Sequence, residues 1–398
     1  MKKIILLFLI LTGVLIAGNP YVILVSFDGF RWDYVNRGVT PNIQKFIDYG
    51  VHALSLRPAF PSKTFPNHYS IITGLYPQNH GIISNRFGNL HSGEWFGMRT
   101  TKNNWWVGRA FWETAEYNGI TTGTYFWPGS RLDDETRRPT YSKVYEHEKP
   151  YEERIDSLIK WLQFPKEKRP HFLSIYFDET DTKGHMYGPN SPEINLSIQR
   201  CDSLLSYMIL GLEKIGLIDS VNIILTSDHG MTEISKERTI NIEQMLDGLE
   251  YTATGGDPFM MIQPSEKDRE KIKTRLEANQ RHYKFYEREN VPEYYYYSKN
   301  GLISDFVLIA DLGWMLIHND DLEKWDNYAS VGTHGFDHNQ LDMHGIFIAK
   351  GPAFKKGYKT GTVWNVDIYP LLCEIFGIPQ PQNIDGKLER IGFILDFN

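Results

Sequence analysis

The chain has 398 residues, 41% apolar, 23% charged and 14% aromatic, proportions that describe a folded globular protein and exclude disorder, collagen and coiled coil. Its formal charge of −7 argues against a protein that grips nucleic acid along the phosphates, which needs a basic face. Small phosphorylated substrates stay open, because bound cations supply positive charge locally, and two cysteines exclude a disulfide scaffold and a Cys-rich zinc module.

Lys2 and Lys3 precede a short apolar stretch that closes in small residues at Gly18. That is the pattern of a signal peptide over residues 1–18, shorter than the roughly 20 residues of a bilayer-spanning helix. The expectation is an exported, periplasmic or secreted protein without a stable membrane anchor, with residues 19–398 as the catalytic unit.

From residue 21 a dense apolar run reads as a buried strand and ends at Asp28-Gly29. Thr40-Pro41 then opens a helix, with Thr40 as N-cap, Ile43, Phe46 and Ile47 on one face, and Gly50 as its stop. A helix is expected over 110–118 and a strand over 120–126. Ile155, Leu158, Ile159 and Leu162 mark an amphipathic helix, and residues 171–177 a strand that runs into an acidic cluster. Ser191-Pro192 starts a long helix carrying Ile194, Ile198, Cys201, Leu204, Leu205 and Met208. Residues 221–226 form a strand that ends in Ser227-Asp-His-Gly230. A strand over 345–349 and a helix over 366–376 follow near the end. Cys201 and Cys373 fall in apolar helical patterns and read as two buried thiols, with a Cys201–Cys373 bridge as the alternative.

Residues about 240–325 differ. Strands within 251–264 and 305–316 flank a charged helix over 266–279, and the four tyrosines at 294–297 read as alternating faces of another strand. This is a small α+β insertion. Elsewhere strands alternate with helices, which implies an α/β fold with a mostly parallel central sheet and helices on both faces. In such sheets the site lies at the carboxyl ends of the strands.

Several of those ends carry Asp or His. Asp28, Asp181, His185, Asp228, His229 and His334 each have an ordinary reading as a cap or a structural residue. Together they form a mixed carboxylate and imidazole set, which favours zinc over magnesium or calcium. Six ligands suit two sites of three, the clamp used for in-line displacement at phosphorus. Thr64 lies in the loop Pro61-Ser-Lys-Thr-Phe-Pro-Asn-His-Tyr69, just before a helical stretch. Its hydroxyl would sit near a helix N-terminus, where backbone N–H groups stabilise an anion. It reads either as an N-cap or turn residue, or as a nucleophile activated by a bound metal.

Ser26-Phe-Asp-Gly-Phe-Arg31, Lys63-Thr-Phe-Pro-Asn-His-Tyr69, Asn79-His-Gly-Ile-Ile-Ser-Asn85, Phe126-Trp-Pro-Gly-Ser130, Thr226-Ser-Asp-His-Gly-Met231 and His334-Gly-Phe-Asp337 together resemble the nucleotide pyrophosphatase/phosphodiesterase family of the alkaline phosphatase superfamily. The resemblance runs from about residue 20 to beyond residue 376. It implies an alkaline-phosphatase-like fold, two zinc ions per chain, and hydrolysis of nucleotide phosphodiester or pyrophosphate bonds through a covalent phosphothreonine, with release of nucleoside monophosphates. By the same resemblance Asp181, His185 and His334 hold one zinc. Asp28, Asp228 and His229 hold the other, completed by the Thr64 oxygen. Thr64 is then the nucleophile, and the Asn85 amide with the Thr64 N–H holds a phosphoryl oxygen. Phe65 and Tyr145 match positions that sandwich a nucleobase, while Asn67, His68 and His80 read as loop support.

Two departures matter. His338 stands where the family has an amide, which puts local hydrogen bonding in question. Thr180-Asp181 stands where the family has Pro-Asp before Gly-His, which makes Asp178 a rival ligand; the register with Gly184-His185 favours Asp181. The implied partners are small nucleotides and no nucleic acid polymer, and a monomer is expected. The alternatives within the superfamily are a phospholipid or phosphonate diesterase, or a phosphomonoesterase.

Overall fold

The apolar run after Pro20 forms the strand Tyr21–Phe27, buried along nearly its whole length. Alternate side chains leave by opposite faces. Val22 and Leu24 enter one apolar core with Tyr69, Ile71 and Phe111, and Ile23 and Val25 enter another with Ile43, Leu158 and Ile198. A strand greasy on both faces is the signature of a parallel sheet covered on both sides. The computed structural model, described over residues 19–90, 92–256, 258–319, 321 and 330–396, has that architecture.

The central sheet has eight strands, in the order Tyr358–Thr360, Val51–Ala53, Phe347–Lys350, Val221–Thr226, Tyr21–Phe27, Phe172–Phe177, Thr122–Tyr125 and Tyr141–Lys143. Tyr21–Phe27 pairs in parallel with both of its neighbours. Phe347–Lys350 runs antiparallel to the strands on either side of it, and the other pairings are parallel. Helices Pro41–Asp48, Tyr151–Leu162 and Pro192–Lys214 cover one face. Helices Thr64–Thr73, Phe111–Tyr117 and Ile368–Phe376 cover the other. Cys201 and Cys373 are free buried thiols in cores on opposite faces, so no bridge joins them. The expected export segment, residues 1–18, lies outside the described residues. Among the described residues no helix is long and apolar enough to cross a membrane.

Tyr251–Gly256, Phe259–Pro264, Phe306–Ala310 and Tyr283–Glu287 form a separate four-stranded antiparallel sheet. Helix Arg269–Ala278 packs on it through Ile272 and Leu276. The tyrosines at 294–297 do not form the expected strand. They follow Pro292 through a 3-10 turn, Glu293–Tyr295, and Tyr296 takes the left-handed conformation at φ 50°. Tyr295 and Tyr297 are still buried and Tyr294 exposed, so the alternation was real and its cause was a turn.

Ser191 caps its helix as expected, its hydroxyl accepting from the Ile194 N–H at 3.1 Å. Thr40 does not cap its own, since its side chain makes no capping bond. Asp202, on helix Pro192–Lys214, does so across the helix interface. One of its oxygens accepts from the N–H groups of Asn42 at 2.9 Å and Ile43 at 2.7 Å, and the other from the Asn42 amide at 2.8 Å. A buried carboxylate satisfies first-turn donors that have no intrahelical acceptor. Asp202→Ala is therefore expected to lower unfolding free energy by about 2 kcal/mol, and Thr40→Ala by well under half of that, as read from denaturant midpoints. Equal losses would refute this division of roles.

Candidate metal centre

Strand Tyr21–Phe27 delivers Asp28 to the carboxyl edge of the sheet. Gly29 then turns at φ +67°, and a Cβ there would meet the Asp181 Cα at 2.8 Å, so only glycine lets this loop nest against helix Glu179–Tyr187. That helix carries Asp181 and His185 one turn apart, on one face. Strand Val221–Thr226 delivers Asp228 and His229. His334 follows the short strand Gly332–Thr333, which pairs with Thr232–Glu233 just beyond His229. Gly332 lies so close to the Gly184 carbonyl, 2.3 Å from where its Cβ would stand, that any side chain would push this strand off the helix.

Six side chains converge as a result. The His229 Nε2 lies 3.0 Å from Asp228 Oδ2 and 3.3 Å from Asp28 Oδ1. The Asp181 Oδ1 lies 3.4 Å from His185 Nε2 and 3.5 Å from His334 Nε2. The rings of His229 and His334 stack at 3.5 Å. Asp181, His229 and His334 form one cluster of potential ligand atoms and Asp28, His68 and Asp228 a second, with His229 touching both.

Each of the three inward imidazoles has its Nδ1 against a backbone carbonyl at 2.8 Å: Gly332 for His185, Gly230 for His229 and Ser62 for His334. A nitrogen facing a carbonyl must be the N–H donor, so each ring turns its Nε2 inward, the arrangement of metal-binding histidines. Asp28 Oδ1, Asp181 Oδ1 and Asp228 Oδ2 are buried without a hydrogen-bond partner. Burial, and after it the charges of Asp228 and Asp181, push Asp28 well above the usual carboxylate range. Burial would also raise Asp228, but the His229 and His68 imidazoles outweigh it and hold the group well below that range. Burial and then His229 drive His334 well below the usual imidazole range, which keeps it neutral and able to ligate. Three crowded carboxylates with orphaned oxygens are costly without cations, and the mixed oxygen and nitrogen donors fit zinc.

Thr64 begins helix Thr64–Thr73, with Lys63 in the N-cap position, and its Oγ1 lies 3.3 Å from His229 Nε2. The Asn85 Oδ1 accepts from the Phe65 N–H at 2.9 Å, which leaves the Asn85 NH2 as the donor end. Phe65 is half-buried against Phe96 and Trp106. Tyr145 is half-exposed, its ring 5.1 Å from Phe126.

Asp178, the rival ligand, is occupied elsewhere: Arg154 lies 3.3 Å from one of its oxygens and His147 3.0 Å from the other. His338 is buried and lies 2.6 Å from the Arg57 guanidinium. Burial and then Arg57 hold its pKa well below the usual imidazole range, so it accepts from Arg57 as an amide oxygen could. His68 does more than expected of a loop support. Its Nδ1 sits 2.9 Å from the Thr64 carbonyl and 3.3 Å from Asp228, and its Nε2 2.8 Å from Ser26. It thus joins the helix that bears Thr64 to Asp228, one of the candidate ligands. Tyr176, unremarked in the sequence, donates its hydroxyl to Asp28 Oδ2 at 2.6 Å. The helical spacing Thr64 to His68 was the available signal for the first; nothing local pointed to the second.

The profile of the type I phosphodiesterase / nucleotide pyrophosphatase family matches residues 22–337. The chain is 36% identical over 371 residues to the bis(5'-adenosyl)-triphosphatase enpp4 of Xenopus laevis, covering 92% of this chain and 80% of that one. It is 37% identical over 390 residues to ectonucleotide pyrophosphatase/phosphodiesterase family member 3 of Bos taurus, covering 94% of this chain but 44% of that longer protein. Among solved structures, murine ectonucleotide pyrophosphatase / phosphodiesterase 5, as an inactive variant in complex with AMP, superposes with a TM-score of 0.89 at 32% identity, covering 95% of this chain and all of that one.

If cations neutralise this cluster, ligand binding stabilises the fold, by about 2.7 kcal/mol at a hundredfold excess over Kd. Chelation is expected to lower the melting temperature by several degrees and zinc to restore it. A melting temperature indifferent to both would contradict the assignment.

Proposed function

The chain belongs to the nucleotide pyrophosphatase/phosphodiesterase family, and on that premise we propose that it uses two zinc ions and a covalent phosphothreonine to cleave nucleotide phosphodiester and pyrophosphate bonds, releasing a nucleoside monophosphate. Its relatives are phosphodiester hydrolases, and so is this enzyme. The observation that carries the finer reading is the Thr64 hydroxyl 3.3 Å from His229 Nε2, which itself lies beside Asp28 and Asp228 oxygens that no hydrogen bond satisfies.

Asp28, Asp228 and His229 would hold the ion nearer Thr64, and Asp181, His185 and His334 the other. When bound, the two ions supply a lowered pKa for the Thr64 hydroxyl, activation of water for the second step, and positive charge toward the phosphoryl oxygens. Thr64 Oγ1 attacks phosphorus in line with the leaving oxygen. The new P–Oγ1 bond forms as the P–O bond to the leaving group breaks. The Asn85 NH2 and the first-turn N–H of Thr64, which lacks an intrahelical acceptor, donate to a non-bridging oxygen and offset its growing charge. Water then attacks the phosphothreonine from the opposite side, and the Thr64 oxygen leaves. His68 keeps the helix start and Asp228 in register throughout.

Phe65 and Tyr145 form the two faces of the base site in this reading. The AMP complex of the murine neighbour supports a nucleotide as substrate. The pattern of residues 1–18 and the ectonucleotide names of relatives support export.

Thr64→Ala is expected to cut turnover by roughly 10³-fold or more, with zinc content still near that of the parent by elemental analysis. Retained turnover would remove the nucleophile assignment. Of p-nitrophenyl thymidine monophosphate, glycerophosphocholine and p-nitrophenyl phosphate, the first is expected to show the highest kcat/KM. A preference for either of the others would move the enzyme to a lipid-headgroup diesterase or a monoesterase.

A further inference from the structure

Tyr145 follows the edge strand Tyr141–Lys143, which has a neighbour on one side only, and it stands in a stretch exposed from residue 143 to residue 148. An aromatic platform on such a segment needs a tether to hold its orientation. The tether is present. The His147 Nδ1 lies 3.0 Å from Asp178 Oδ2 and 3.1 Å from the Tyr145 hydroxyl. The other Asp178 oxygen takes Arg154 and the Tyr151 hydroxyl, each at 3.3 Å. Arg154, fully buried, donates to the carbonyls of His147 at 3.2 Å, Lys149 at 3.1 Å and Tyr176 at 3.0 Å.

Beneath Tyr145 lies Phe126, a non-glycine residue at φ 67°, a conformation that costs energy and persists only where surrounding contacts enforce it. Its ring is pinned between Tyr145 and the Arg154 guanidinium, 4.9 Å from the latter. The Tyr145 ring also lies 6.3 Å from that of Tyr176, whose hydroxyl binds Asp28. The platform is thereby indexed to the carboxylate cluster, and His147 joins the Tyr145 segment to that frame from the solvent side.

We propose that His147 is a positioning residue that clasps the Tyr145 segment to Asp178 and so sets the enzyme's preference for substrates that carry a nucleobase. This rests on the reading of Tyr145 as one face of the base site. His147 reaches the substrate through Tyr145 and does not touch the reacting atoms. Its side chain is 59% exposed, so its replacement leaves the core intact.

The test compares p-nitrophenyl thymidine monophosphate with methyl p-nitrophenyl phosphate, which shares the leaving group and lacks a base. His147→Ala is expected to lower the ratio of their kcat/KM values roughly three- to tenfold, through KM for the nucleotide ester. His147→Asn, whose amide N–H can replace Nδ1–H, should restore most of it. Tyr145→Ala is the reference for what the base contact contributes. If Tyr145→Ala lowers the ratio and His147→Ala does not, the clasp is wrong and the base site stands. If Tyr145→Ala leaves the ratio unchanged, the base-site reading fails and the clasp falls with it. An equal loss on both substrates in His147→Ala would also overturn the proposal.

Discussion

Asp28, Asp181 and Asp228 crowd together at one edge of the sheet, each with a buried oxygen that no hydrogen bond satisfies. Like charges at such separations cannot all stay ionised in a poorly solvated place unless cations sit among them. Much of the surrounding architecture serves this one electrostatic demand. Parallel pairing brings the carboxyl ends of Tyr21–Phe27 and Val221–Thr226 side by side, which sets Asp28 and Asp228 near each other. Close packing at Gly29 and Gly332 draws in the helix with Asp181 and His185 and the loop with His334. Three backbone carbonyls then hold the imidazoles with Nε2 inward.

Thr64, the proposed nucleophile, comes from the other layer. It begins a helix that packs on the opposite face from the one covered by Pro192–Lys214, and His68, one turn on, ties it to Asp228. A fixed hydroxyl beside a fixed ligand set is the preorganisation that phosphoryl transfer requires, since the chemistry depends on placement more than on reactivity. The rim is built differently. Tyr145 sits on an exposed segment held by side-chain bonds rather than by burial, so the proposed chemistry rests on the core of the sheet and the proposed base preference on a tethered edge.

The layers of the fold were legible because burial on both faces leaves continuous apolar runs, as at residues 21–27 and 221–226, and because helices 151–162 and 192–214 show their period plainly. The convergence of Asp28, Asp181, His185, Asp228, His229 and His334 was legible because Asp and His stand at strand ends, which the sheet gathers at one edge. What stayed hidden depends on contacts far apart in the chain. Asp202 caps a helix 160 residues away, and no local pattern announces that. The tyrosines at 294–297 alternate in burial, yet the left-handed Tyr296 bends them into a turn. Register with Gly184-His185 favoured Asp181 over Asp178 in the sequence; hidden there was the role of Arg154 and His147, which engage both oxygens of Asp178 while Asp181 faces the cluster.

The central claim is that paired cations, held by this carboxylate and imidazole set, face Thr64. Anomalous diffraction at the zinc absorption edge, from crystals of the zinc-loaded protein, tests it most directly. Two strong peaks are expected, one among Asp28, Asp228 and His229 within reach of the Thr64 oxygen, the other among Asp181, His185 and His334. Carboxylates paired through shared protons with no anomalous density between them, or density remote from Thr64, would contradict it.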